Sequence, residues 1–179
     1  MSDESGEIGW YSPDPRAIIP IESYKPSKSL RSILNKSIFD IRINKQFEQV
    51  MRKCAEPRKD ESGTWISEEM ISIFTQLHQV GFAHSVEAYQ NNELVGGLYG
   101  VCIGGVFFGE SMFSTVSNSS KVAFHYLINI LKENGFVLLD SQFMNDNVKR
   151  YGAIEISKKQ FNEMLAIGIS KKCEFCQNL

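Results

Sequence analysis

The chain has 179 residues, of which 42% are hydrophobic and 11% aromatic, and a formal net charge of −2. These figures suit one domain with a sizeable core and exclude extended disorder, collagen and coiled coil. No apolar run reaches the roughly 18 residues of a membrane span, and the acidic start MSDESGEIGW lacks the basic head and apolar stretch of a secretory signal.

A cytoplasmic protein with free thiols is therefore expected, since the four cysteines follow no signal. A single domain is expected over 1–179, loose at 1–9 and from about 170 onward. The net charge conceals a segregation. Residues 31–60 carry eight basic and four acidic side chains, residues 61–120 six acidic and no basic ones, and residues 121–179 eight basic and six acidic. A cation-free stretch between basic flanks suits a site that meets a positive group beside one that meets phosphate. A buried sheet, where Lys and Arg are rare, gives the same pattern.

The opening Trp10–Arg16, with Pro13 and Pro15, reads as a rigid loop leading into an apolar strand, Ala17–Ile19. Residues 29–36 read as a short helix, and the alternation of Phe39, Ile41 and Ile43 as a strand. Asn44 is expected to cap a helix in which Phe47, Val50, Met51 and Cys54 share a face. A polar loop spans 56–63. Ser67, with Glu68 and Glu69 in the first turn, opens a second helix that Gly81 ends. Three strands follow, Phe82–Tyr89, Leu94–Ile103 and Val106–Phe113, joined at Asn91-Asn92 and Gly104-Gly105. A helix is expected from about Ser119 to Asn134, then a buried strand Phe136–Leu139, then a final helix capped by the Ser157/Gln160 box. The order predicts an α+β domain with a mixed, mainly antiparallel sheet flanked by helices.

Few residues invite chemistry. Asp140 and Gln142 close the strand 136–139, and in an extended chain they would point to one side. Glu110 is a lone acid among Val106, Phe107, Phe108, Met112 and Phe113, and needs either a structural cation or a ligand. Gly96-Gly97 and Gly104-Gly105, with Leu98 and Phe107 nearby, fit an apolar cleft or a packed core. Cys173 and Cys176 form one CxxC without a second pair at zinc spacing, so no metal site is expected. His78, His84 and His125 accompany no nucleophile motif, and no phosphate-binding glycine loop is present.

Trp10–Ala17, Gly63-Thr64-Trp65-Ile66, Leu77-His78 with Gly81–Glu87, Leu94–Gly100, Phe108–Ser114 and Leu139–Gln142 with Asn145-Asp146 occur in one order. Together they resemble the bacterial leucyl/phenylalanyl-tRNA–protein transferases, over nearly the whole chain from Trp10 to about Phe161. Only nine residues precede Trp10, so the sequence reads as a short member lacking most of an N-terminal segment. The resemblance implies an acetyltransferase-like (GNAT) fold and transfer of Leu or Phe, or Met, from aminoacyl-tRNA to an N-terminal Arg or Lys. The product would be a degradation signal of the N-degron pathway. It implies Asp140 and Gln142 as catalytic residues, Glu110 as the grip on the cationic side chain, and Leu98, Phe107, Phe124 and Leu127 as the lining for the transferred side chain. Trp65 and Asn145 complete the substrate-binding set. Arg42, Arg52 and Lys53 are candidate phosphate contacts. Leu-tRNA or Phe-tRNA and proteins beginning with Arg or Lys are the expected partners of a monomer without cofactor. The alternative is a catalytically inactive relative that binds tRNA or degrons.

Overall fold

The computed structural model describes residues 11–57 and 64–176. Trp10, residues 1–9 and Gly63 therefore lie outside the described residues. In chain order the elements are β1 (Arg16–Ile18), α1 (Lys28–Leu34), β2 (Asp40–Ile43), α2 (Phe47–Ala55), α3 (Glu68–Gln79), β3 (Ala83–Gln90), β4 (Glu93–Ile103), β5 (Val106–Ser114), α4 (Ser119–Glu133), β6 (Leu138–Gln142), α5 (Asp146–Arg150), β7 (Ile154–Ile156) and α6 (Lys158–Ile169). The strands form one sheet in the order β2-β3-β4-β5-β6-β1-β7. Every described pairing is antiparallel except β5 with β6. This is the α+β arrangement expected, a mixed, mainly antiparallel sheet flanked by helices. No helix of the described residues is long and apolar enough to cross a membrane.

Alternation along the strands assigns the two faces. Val86, Ala88, Leu98 and Phe107 pack against Val122, Phe124, Leu127 and Leu131 of α4. The opposite face places Ala83, Tyr99 and Phe113 under Phe47, Val50 and Met51 of α2 and Ile71 of α3. A third cluster joins Ile18, Val106 and Leu138 to Phe161 of α6. The helix signals behave as their chemistry requires. Ser67 accepts the Met70 N–H, and Ser157 and Gln160 form the reciprocal box. The turns at Asn91-Asn92 take the left-handed conformation, with φ of 52° and 63°.

Three local expectations are corrected. Asn44 does not cap α2, whose N-cap is Gln46 without a side-chain bond of its own. The capping is done from β3. The fully buried Glu87 carboxylate accepts from the Lys45 and Gln46 N–H groups at 2.9 and 2.8 Å, and from Ser85 Oγ and Tyr89 OH, both at 2.8 Å. Those four donors satisfy the acid without a cation. Second, the strand placed at 136–139 runs from Leu138 to Gln142, because Phe136 is still bonded back to Leu131 in the helix-ending turn at Gly135. Third, α5 and β7 were not anticipated. Both are short, and β7 exists as a strand through its pairing with β1. Toward the C-terminal end of the described residues the Phe175 ring stacks on His84 at 4.5 Å and on Phe107 at 5.5 Å.

Candidate active site

The sheet splits between β5 and β6. Their parallel pairing covers only Val106, Phe107 and Phe108 against Leu138, Leu139 and Asp140. Beyond it β6 leaves extended conformation at Gln142, where φ is 58°, while β5 continues with β4 alone. A bulge lies just past the split. Tyr99 faces Ser111 and Gly100 faces Gly109, so Glu110 is the extra residue on β5. The bulge depends on Gly100, where a Cβ would collide with the Phe108 carbonyl oxygen and the Phe107 ring.

The space opened by the split is a cleft of about 980 Å³, and Leu98, Phe107, Phe124, Leu127, Trp65, Glu110, Asp140, Gln142 and Asn145 all line it. The four apolar members form its closed inner end, each 3% exposed or less. Two residues not anticipated from sequence complete that end. Tyr151 packs on Phe124, with ring centroids 4.2 Å apart, and its hydroxyl reaches Met112 Sδ at 3.5 Å. Trp65, half-buried, stands on the α3 side of the opening, packed on the second core cluster.

Asp140 is fully buried and is held by a bidentate contact from Arg16, with Nε to Oδ1 at 3.0 Å and Nη2 to Oδ2 at 2.6 Å. Arg16 in turn lies 4.3 Å over the Phe161 ring. Oδ1 also accepts the Gln142 backbone N–H at 3.0 Å. The carboxylate thus orients Gln142 through its main chain, not its amide. Both residues line the cleft, and Gln142 takes a positive φ of 58° where regular strand alternation ends. The anchor was missed in the sequence because Arg16 stands 124 residues away.

Glu110 has no ion pair with any described Lys or Arg. Burial raises its pKa to about 7, with the nearby Asp140 charge adding to the rise and Arg16 opposing it. The site therefore holds a carboxyl group that would gain from a cation. The neighbouring Tyr99 hydroxyl is buried without a hydrogen-bond partner among the described residues, and burial pushes its pKa well up. His84 has no role here. Its Nε2–H donates to Gly81 O, Asn44 reaches Nδ1, and burial lowers its pKa to about 4.

Asn145 sits at the cleft wall, where its Oδ1 caps α5 by accepting from Asn147 and Val148 N–H. Of the candidate phosphate contacts, Arg42 pairs with Asp40 and lies over Tyr89, and Arg52 pairs with Glu48 and Glu68. Neither lines the cleft, whereas Lys53 lies beside it. Among the described residues no group of three His, Cys, Asp or Glu is placed to hold a metal.

Comparison with known proteins places this geometry. The profile described as leucyl/phenylalanyl-tRNA protein transferase matches residues 18–166. The leucyl/phenylalanyl-tRNA–protein transferase of Chlorobaculum tepidum is 48% identical over 176 residues, covering 98% of this chain and 91% of that protein. The protein of the same name from Paramagnetospirillum magneticum is 44% identical over 177 residues, covering 99% and 85%. Among solved structures, L-PGS from Bacillus licheniformis superposes with a TM-score of 0.53 at 13% identity, covering 89% of this chain and 66% of that one, a likeness of fold alone.

Proposed function

The chain belongs to the leucyl/phenylalanyl-tRNA–protein transferase family, and from that premise we propose how its cleft carries out the transfer. It is a tRNA-dependent aminoacyltransferase acting on a protein acceptor. The finer reading is that Leu or Phe is transferred to an N-terminal Arg or Lys by a monomer. The observation that carries it is the bulged Glu110, without an ion pair among the described residues, at the mouth of a cleft whose inner end is apolar and whose other lip presents Gln142.

Leu98, Phe107, Phe124 and Leu127 take the side chain of the aminoacyl group. A charged side chain there would lose its hydration without a partner. Glu110 grips the acceptor's guanidinium or ammonium group, a charge-assisted contact, and this sets the α-amine against the ester carbonyl. The amine has an unperturbed pKa of about 7.7–8.0, so a useful fraction is neutral at cellular pH. Its nitrogen attacks the carbonyl carbon, the ester C–O bond breaks, and the ribose oxygen leaves with the amine's proton. An ester is already activated, so positioning and stabilisation of the developing oxyanion suffice. The Gln142 amide fits the latter role, since Asp140 holds its backbone and leaves its side chain available. Trp65 offers a face on which the terminal adenine can stack, and Asn145 closes the wall beside Gln142.

The test uses Leu-tRNA bearing labelled leucine and two peptides that differ only in an N-terminal Arg or Ala. Label should appear on the Arg peptide alone, and Glu110→Gln should abolish that preference. Equal labelling of both peptides would refute the cation grip. Tight tRNA binding with no transfer would instead make the chain a binding relative.

A further inference from the structure

The split that opens the cleft continues along the far half of β5. A second hollow, of about 460 Å³, begins where the cleft ends and shares Met112, Tyr151 and Asn147 with it. Its walls are the C-terminal end of α2, the end of β5, the first turn of α4, and α5. Those elements bring Lys53, Lys121 and Arg150 to one groove against a single carboxylate, Glu56. The charged lining of the cleft is the reverse, with Glu56, Glu110 and Asp140 against Arg16.

The three cations are not equally engaged. Lys53 Nζ holds Glu56 at 2.8 Å. Among the described residues Lys121 Nζ contacts only the neutral Asn118 Oδ1, at 3.0 Å. Neither Lys121 nor Arg150 has an ion pair among the described residues. Asn118 makes no side-chain cap on α4, and while the Ser119 N–H donates to Val116 O, the Ser120 and Lys121 N–H groups add to the positive potential of the groove. The groove thus offers cations with no carboxylate to answer them, directly beside a cleft that repels anions.

A cleft that accepts the aminoacylated terminal nucleoside must let the rest of the strand leave, and each further nucleotide carries one phosphate. We propose that this groove holds the phosphodiester backbone of the tRNA's single-stranded 3′ end, just upstream of the aminoacylated nucleotide, with Lys121 and Arg150 as its principal contacts. The inference rests on the reading of the cleft as the site of the aminoacyl nucleoside.

The test is the double variant Lys121→Gln/Arg150→Gln, measured with leucyl-tRNA and with an amide-linked leucyl-adenosine analogue that carries no phosphate. The KM for leucyl-tRNA should rise on the order of tenfold, and the slope of log(kcat/KM) against log salt should flatten by about 1 to 1.5, as expected for two lost single-strand contacts. The inhibition constant of the analogue should not move. Equal weakening of both ligands would overturn the proposal, as would an unchanged salt slope. So would a raised KM for the acceptor peptide alone, which would assign the groove to the acceptor. Direct binding of leucyl-tRNA reads the groove without turnover. Failure of the transfer reaction in the wild type is therefore a separate result from failure of the groove.

Discussion

At the residue scale, the two carboxyl groups of the cleft do opposite work. Asp140 is paired and buried, so its removal strands the Arg16 guanidinium and releases the Gln142 backbone. Asp140→Ala should cost about 3 kcal/mol or more of stability together with activity. Gln142→Ala should lower kcat with the melting temperature nearly unchanged, since no described hydrogen bond uses its side chain. Comparable destabilisation by both would remove Gln142's distinction as the free amide. Glu110 behaves differently, because its raised pKa of about 7 makes the folded state hold a proton that the unfolded chain releases near 4.5. The protein's stability from this group is fully present below the unfolded value and is lost as pH rises through about 7. Glu110→Gln mimics the protonated form. Variant and wild type should therefore melt together near pH 4, and the variant should be the more stable by roughly 1–3 kcal/mol at pH 8. A melting difference that is flat across that range would show that Glu110 is not held in a proton-retaining site.

At the scale of elements, what places Glu110 is one extra residue in β5, and that bulge has no signature of its own. The strands around it were legible from alternation and from the Asn91-Asn92 and Gly104-Gly105 turns, because those signals are local. The Arg16 anchor and the Glu87 cap of α2 join segments 124 and 41 residues apart, and no window along the chain contains both partners. Six of the nine candidate residues fall in sequence blocks shared with a family, Phe107, Phe124 and Leu127 lie outside those blocks, and the fold gathers all nine at one split. The bulge makes its own prediction. Gly100→Ala would drive a Cβ into the Phe108 carbonyl and the Phe107 ring, and should cost about 2–4 kcal/mol. Gly109→Ala, on the strand opposite, meets the Asp140 carbonyl oxygen at 3.5 Å and the Leu139 Cδ1 at 3.9 Å, both ordinary contacts, and should be nearly neutral. Thermal melts of the pair, with label transfer to the Arg peptide, would separate the two. A neutral Gly100→Ala would mean that the bulge yields easily and does not fix Glu110.

At the scale of the whole molecule, a chain of net charge −2 has no overall attraction for a polyanion. Its affinity for tRNA must come from how charge is distributed. The cation-free stretch 61–120 supplies three of the strands around the cleft, while Lys53, Lys121 and Arg150 come from the basic flanks on either side of it. The segregation visible in the sequence thus becomes two neighbouring surfaces of opposite sign. Which basic residues face the strand was not legible, since Arg42 is absorbed by Asp40 two residues away, and Arg52 by Glu48 on its own helix and by Glu68, which the fold brings to it. Salt separates the two surfaces. At about 0.15 M the Debye length is about 8 Å, so exposed cations lose their hold on phosphate while the half-buried Glu110 is screened far less. With about three phosphate contacts, kcat/KM for leucyl-tRNA should fall roughly tenfold or more between about 50 and 200 mM salt. Over the same range kcat/KM for an Arg peptide, with donor saturating, should change by less than about twofold, because a partly desolvated pair is weakly screened. Parallel slopes for donor and acceptor would mean that both substrates meet one exposed field, and the division of the site into an acidic cleft and a basic groove would be wrong.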